Sequence, residues 1–323
     1  MNINLESYTA DKKLLWDDFV AKCPMATFLH SRKFLSYHKD KFQEQSLLFF
    51  DDKNRLVGVF PAASRLSQNE IIISHPGSTF GGIVHNGKLV GAEITNVLQL
   101  IIDFYRNQGA KEILYKAVPY VYHQAPYSDD LYSLFSLNAI LCRRDLSCAI
   151  NLLQPTFLTC KDQSKLRNCI RKAEKNELAI KEGVEYLPQL WEILAINLKE
   201  KYDTNPVHSF EEIKHLMILF PDNIKAVVAV IGNNIVAGTI LFSHKTVCHT
   251  QYLVVTDVGM KIFALDALIQ HCIVQAKENG YSYFDFGINN EQEGKILNHT
   301  LYLSKVKHGG GGVVHDFYKI ILK

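Results

Sequence analysis

Two stretches of the chain carry the same elements in the same order. The first, residues 46–118, reads as an apolar strand (LLFF), a turn (DDKN), a strand entered through Gly58 (LVGVFPAA) and a third strand (IIIS). A glycine-rich break (HPGSTFGG), a helix (ITNVLQLIIDFYRNQG) and a strand (KEILYKAV) follow. The second, residues 225–287, repeats the series: strand KAVVAV, turn IGNN, strand IVAGTILFS through Gly238, strand VCHTQYLVV, a break at Gly259, helix ALDALIQHCIVQAKENG and strand YSYFDFG. Gly58 stands where Gly238 stands in the second stretch, and Gly109 where Gly280 does. The letters hardly repeat, but the architecture does. Repeated architecture predicts two similar α/β domains, 1–150 and 151–323, with a cleft where they meet. A chain of 323 residues is long enough to fill both cores.

Composition excludes several classes. A net charge of +2 is too small for a dedicated nucleic-acid protein, which needs a clear basic excess. No apolar run reaches the roughly 18 residues of a membrane helix, so no membrane insertion is expected. The N-terminus, MNINLESYTADKK, is polar and of mixed charge, unlike a signal peptide. Seven cysteines, an odd number with no CxxC, read as reduced thiols of a cytoplasmic protein. There is no GxGxxG, P-loop, HExxH or GxSxG motif, and the thirteen histidines show no zinc-ligand spacing, so no metal is expected.

Between the repeats the pattern alternates helix and strand. An opening helix over Ala10–Cys23 places Leu14, Leu15, Phe19 and Val20 at helical spacing. The stretch CRRDLSCAINL alternates like a strand and bridges the halves. A basic helix spans Gln163–Asn176, and Ser209 with Glu212 forms a capping box. Each half reads as helices, then mostly antiparallel strands, then a helix crossing to another strand. That order, with a break between the long strand and its helix, suggests an acyl-CoA-binding architecture. Its long strand splays from its neighbour, and the N–H groups of the next helix can hold a pyrophosphate.

The segments SKLRNCIRKAEKN, KYDTNPVHSFEE, HTQY, YFDFGINNEQEG and LSKVKHGGGGVVHDFY, with FLHSRKFL, VGVFPAA and HPGSTFGGIV upstream, resemble the FemAB-like acyltransferases. These are tandem-domain relatives of the GNAT acetyltransferases, and the likeness spans nearly the whole chain. It implies two tandem GNAT-like domains with mixed, mostly antiparallel sheets flanked by helices. It also implies transfer of an acyl or aminoacyl group to an amine on a sugar- or nucleotide-linked acceptor, in cell-envelope or polysaccharide precursor synthesis. The donor it implies is acetyl-CoA or another acyl-CoA. The branch that uses aminoacyl-tRNA on peptidoglycan precursors often has a long helical arm, and no such coiled coil is visible here. Aminoacyl-tRNA transfer and a degenerate sugar-binding module stay open as alternatives.

The resemblance matches Lys305 in SKVKHGG to a lysine that family members carry near their C-terminus. Ser304 and His308 replace the usual aromatics around it. A fixed ammonium there can steady the oxyanion formed when an amine attacks a carbonyl. In YSYFDFGINNE, alternation puts Tyr281, Tyr283 and Asp285 on one strand face and Phe284 and Phe286 on the other. Gly287 then permits a sharp turn. Asp285 or Glu291 is the expected base for the ammonium proton. His249 and Gln251 share a face of the strand before the break, Gln251 toward the donor and His249 toward the acceptor. Gly259 and Lys261 are what the break offers a cofactor phosphate. Arg171 and Lys172 of the basic helix, with Tyr202 and His208 of the KYDTNPVH loop, are the remaining candidate acceptor contacts. Cys142 and Cys148 lack the His–Asp surroundings of a thiol nucleophile.

Overall fold

The computed structural model describes residues 2–154 and 158–322. The chain forms two compact units, one of Met1–Leu146, Asn290–Ile296 and Val314–Lys323, the other of Ser147–Asn289 and Leu297–Val313.

In the first unit, strand β1 (Leu47–Phe50) lies antiparallel to β2 (Leu56–Phe60), joined by a turn in which Asp51 accepts from the N–H groups of Lys53 and Arg55. β3 (Gln68–Ile73) runs through helix α1 (Ala92–Asn107) to β4 (Glu112–Lys116), which pairs with it in parallel. The helix buries Ile94, Val97, Leu98, Ile101, Ile102 and Tyr105, a stripe at 3.6-residue spacing, against Phe49, Phe60, Ile72, Ile113 and Tyr115. Each of those aliphatic side chains contributes about 1.5–3 kcal/mol on burial.

The opening helix runs Lys13–Lys22 and buries Trp16 and Val20. Leu14 and Leu15, expected in its apolar stripe, are exposed. The correction has a physical cause. Trp16 has the larger surface to bury, and its indole N–H donates to the His30 carbonyl at 2.7 Å, which fixes the helix's rotation.

The second unit takes up the chain within β5 (Ile140–Asn151). Helix α2 (Cys160–Glu174) starts at Thr159, whose side chain accepts from the Asp162 N–H. Then come β6 (Ala179–Glu182), α3 (Leu187–Tyr202) and α4 (Phe210–Leu219), the last with the expected Ser209–Glu212 capping box. Three antiparallel strands follow: β7 (Ile224–Ile231), β8 (Asn234–Ser243) and β9 (Val247–Val255). A short helix α5 (Asp257–Lys261) and the crossover helix α6 (Ala264–Glu278) lead to β10 (Tyr283–Ile288), parallel to β9 and antiparallel to the end of β5. Helix α7 (His299–Val306) comes last in this unit. Leu268, Ile269, Cys272 and Ala276 of α6 pack on Phe284, Phe286, Cys148 and Ile150. No helix among the described residues is long and apolar enough to cross a membrane.

Candidate active site

The site begins where β9 and β10 part. Their parallel ladder has three pairs, Val247↔Tyr283, Cys248↔Phe284 and His249↔Asp285. Just beyond it both strands bulge. On β9, Tyr252 faces Ile240 of β8 and Thr250 faces Leu241, so Gln251 has no cross-strand partner. On β10, Asp285 faces Ala149 of β5 and Ile288 faces Ser147, so Phe286 and Gly287 together oppose Cys148. Gly287 takes φ +76°, a conformation that suits glycine. The alternation read from the sequence accounts for the two faces of β10. Phe284 and Phe286 enter the core, and Asp285 turns the other way.

Asp285 is 1 % exposed. A buried carboxylate is costly unless it is hydrogen-bonded, and three donors serve this one. Its Oδ2 lies 2.8 Å from Nδ1 of His249. Its Oδ1 accepts from the Ser147 hydroxyl and, at 3.1 Å, from the Gly287 N–H. A carboxylate only accepts, so Nδ1 of His249 carries a proton, and in the neutral ring Nε2 holds the lone pair. The hydrogen-bond network assigns this tautomer. The imidazole lies against Gly287, where a Cβ would come 3.2 Å from its Cε1.

Lys305 is the buried residue of α7. Its ammonium donates to the carbonyls of Gly287 at 3.0 Å and Ile288 at 3.1 Å. Burial pulls its pKa down to about 8, against the pull of Asp285 and Cys148. Two of its three N–H groups are spent on these carbonyls. The structure therefore gathers three of the candidate side chains around one glycine: Lys305 on its carbonyl, Asp285 on its N–H and His249 against its Cα. Cys148, beside them, has its thiol pushed up to about 12 by burial, which keeps it protonated and a poor nucleophile.

The other predicted residues are distributed over several elements. Glu291 is exposed in the two-residue strand Asn290–Glu291, which belongs to the first unit. Gln251 is the half-buried bulge residue. Gly259 lies within α5 instead of an open loop. Its N–H donates to Thr256 at 3.1 Å, and a Cβ would meet the Val236 carbonyl at 2.1 Å, so glycine serves close packing of α5 on β8. Lys261 is exposed at the end of α5.

His208 is buried with Nδ1 2.8 Å from the Tyr252 hydroxyl, whose ring meets Trp191 edge-on. The side chain of Tyr202 lies outside the described residues. Arg171 and Lys172 are exposed on α2, and the Lys172 ammonium stands 5.3 Å from the Phe263 ring centroid. Among the described residues no group of three or more His, Cys, Asp or Glu is placed to hold a metal ion.

Sequence reasoning missed Ser147 and Asp266. A serine between apolar positions of SCAIN was the only signal for the first. Asp266 sits buried in the first turn of α6, with Lys307 at 2.5 Å and His308 at 3.3 Å. Burial works to raise its pKa, and the hydrogen bonds and charges of His308 and Lys307 outweigh that and lower it.

Residues 161–293 match the family model described as an acetyltransferase (GNAT) domain. The matched stretch holds His249, Asp285 and Gly287, and Lys305 lies beyond it. The crystal structure of FemX is similar over 99 % of this chain and 97 % of its own, at 10 % identity and TM-score 0.69. A C-terminal domain assigned to a lysylphosphatidylglycerol synthetase from Agrobacterium fabrum covers 97 % of this chain and 92 % of its own, at 10 % identity and TM-score 0.63. A tandem GNAT protein from the clavulanic acid biosynthesis pathway covers 100 % and 99 %, at 9 % identity and TM-score 0.51. At these identities the likeness is one of fold, the two-domain GNAT-like fold. No curated protein sequence matches the chain.

Proposed function

We propose that this chain, a FemAB-like protein of the GNAT superfamily, is an N-acyltransferase that uses His249 as its base, Asp285 to orient that base and Lys305 as the fixed cation. The repeats are taken as 1–150 and 151–323. The acceptor is an amine on a sugar- or nucleotide-linked precursor of the cell envelope or a polysaccharide. The observation that carries the reading is the 2.8 Å contact between Asp285 and His249 at the point where β9 and β10 diverge. With Nδ1 engaged, Nε2 is the ring nitrogen left to act as the base in this reading.

In the reaction the acceptor amine attacks the donor's carbonyl carbon directly. The new C–N bond forms as the carbonyl π pair moves to oxygen. The third N–H of Lys305 steadies that oxyanion. Nε2 of His249 takes the ammonium proton, and the imidazolium is held by Asp285. Collapse of the intermediate expels the donor's thiolate or alkoxide, which takes the proton back from His249. Asp285 thus acts through His249 and does not take the proton itself. His208 with Tyr252, and Arg171 with Lys172, are proposed acceptor contacts.

GNAT acyltransferases use acyl-CoA, and the fit of that donor here is divided. The edge of β9 past His249 suits an extended pantetheine arm, with Gln251 beside it. The start of α6 carries the buried Asp266 carboxylate, which does not suit a diphosphate, and Lys261 is the cation α5 offers. A second reading, with aminoacyl-tRNA as donor, is left open by the poor fit of a diphosphate there, and the likeness to the lysylphosphatidylglycerol synthetase domain favours an aminoacyl group as the one transferred. Binding of acetyl-CoA and of aminoacyl-tRNA, followed by transfer to amino-sugar nucleotides, separates the two donors. With either donor, His249→Ala is expected to lose roughly 10²–10⁴-fold in turnover while unfolding like the parent protein. Full activity in that variant would refute the role.

A further inference from the structure

Helix α6 has two working sides. Leu268, Ile269, Cys272 and Ala276 face the sheet core, while Gln270, Ile273, Val274 and Lys277 form a second stripe at i, i+3, i+4 and i+7. Helix α2 offers a matching stripe, Gln163, Leu166, Arg167 and Ile170. The two helices pack on each other, but these stripes are left incompletely covered. Leu166, Cys169 and Ile170 of α2 are only half-buried, and Val274 of α6 is 41 % exposed.

Between the stripes lies a cavity of about 510 Å³. Its walls are aliphatic, from Leu166 and Ile170 on one side and Ile273 and Leu152 on the other. Among the described residues its ionisable lining groups are Arg167, Lys277 and His308. A second cavity, of about 380 Å³, shares Leu158 and Leu166 with the first. Its lysines are already matched, Lys165 to Asp162 at 3.8 Å and Lys307 to Asp266 at 2.5 Å. His308 is matched by Asp266 at 3.3 Å, whereas Arg167 and Lys277 have no ion pair among the described residues, and the cavity's size is that of a small-molecule site.

We propose that the larger cavity binds a single hydrocarbon chain bearing an anionic head. The chain lies between α2 and α6, and the head, a carboxylate or phosphate, rests on Arg167 and Lys277 at the rim. This site does not depend on the acyl-transfer reading, since it shares no residue with His249, Asp285 or Lys305.

Titration calorimetry with monomeric dodecanoate and dodecyl phosphate tests it, with dodecyltrimethylammonium as the charge-reversed control. The anions are expected to bind at one per chain, and the cation at least ten-fold more weakly. The double variant R167Q/K277Q changes only exposed side chains and keeps the fold. It should weaken dodecanoate ten-fold or more, and Ile273→Trp should block the chain. Equal binding of anion and cation, or dodecanoate binding unchanged in R167Q/K277Q, would overturn the proposal. Binding seen only to anionic phospholipid vesicles and never to monomer would overturn it too, because the cavity would not be what is recognised.

Discussion

The two units contain the same crossover with opposite outcomes. In the first, β3 runs through α1 to β4. In the second, β9 runs through α6 to β10. Both parallel ladders have three pairs. Past the ladder in the first unit the gap is closed. The Ser74 N–H donates to Leu114 at 2.9 Å, the Ser74 hydroxyl accepts from the Lys116 N–H at 2.6 Å, and the Gly81 N–H donates to Lys116 at 3.0 Å. Gly81 fits because a Cβ there would stand 2.1 Å from the Ser74 carbonyl. Past the ladder in the second unit both strands bulge, and polar side chains line the parting. Each unit also buries a lysine nearby, Lys116 on the Ser78 carbonyl and Lys305 on those of Gly287 and Ile288. Topology alone thus does not make a site. The glycine-rich loop seals one crossover, and the paired bulges keep the other open.

The comparison breaks first at Asp285. Asp285→Ala strips His249, Ser147 and Gly287 of their shared acceptor. It should cost about 3 kcal/mol or more in urea-induced unfolding and abolish transfer. An equally stable variant would mean the network holds nothing together.

Glycine substitutions sharpen the contrast. Gly287→Ala meets a positive φ and the His249 ring, so it should lose about 1–3 kcal/mol of stability and a large part of its turnover. Gly109→Ala also has a positive φ but meets nothing within 4 Å, so it should lose about 1 kcal/mol with activity intact. Equal loss of activity in both would detach His249 from Gly287.

The two lysines give a pH test. Burial lowers the folded pKa of Lys305 to about 8 and of Lys116 to about 7, from an ordinary 10.5. Between each folded value and 10.5 the unfolded chain binds the proton that the folded chain has released. Stability from these groups therefore rises with pH across those windows. Asp130, raised by burial to about 6, works the other way, and its part falls as pH climbs from 3.8 to 6. Thermal midpoints of Lys305→Met should flatten above pH 8, and those of Lys116→Met above pH 7. Unchanged slopes would contradict the burial of these ammonium groups. The smallest effect is expected for Ser147→Ala, about 1 kcal/mol by urea unfolding with transfer only modestly slowed, because Gly287 still donates to the same carboxylate oxygen.

Much of this was legible from residues, and the reasons are local. The order of elements shows in apolar runs punctuated by glycine. The capping box at Ser209 is written in four letters. The two faces of β10 follow from strict alternation in YFDF. What stayed hidden depends on register. No letter announces that Gln251 is skipped in the ladder, or that Phe286 and Gly287 oppose one residue, because a bulge is set by the neighbouring strand. Ser147 became visible only when β5 came to lie beside Asp285. The exposure of Leu14 and Leu15 follows from Trp16, whose distant partner His30 fixes the helix's rotation. Gly259 read as a loop because the residue that makes its segment a helix, Thr256, caps from the end of β9.

The central claim is that Asp285 fixes His249 with its proton on Nδ1 and a basic Nε2 beside Gly287. Nitrogen-15 NMR of the histidine-labelled protein at a pH where the ring is neutral reads this directly. The account predicts a protonated Nδ1 and an unprotonated Nε2 for His249, with that preference lost in Asp285→Ala. A His249 whose proton sits on Nε2 in the unaltered protein would contradict it.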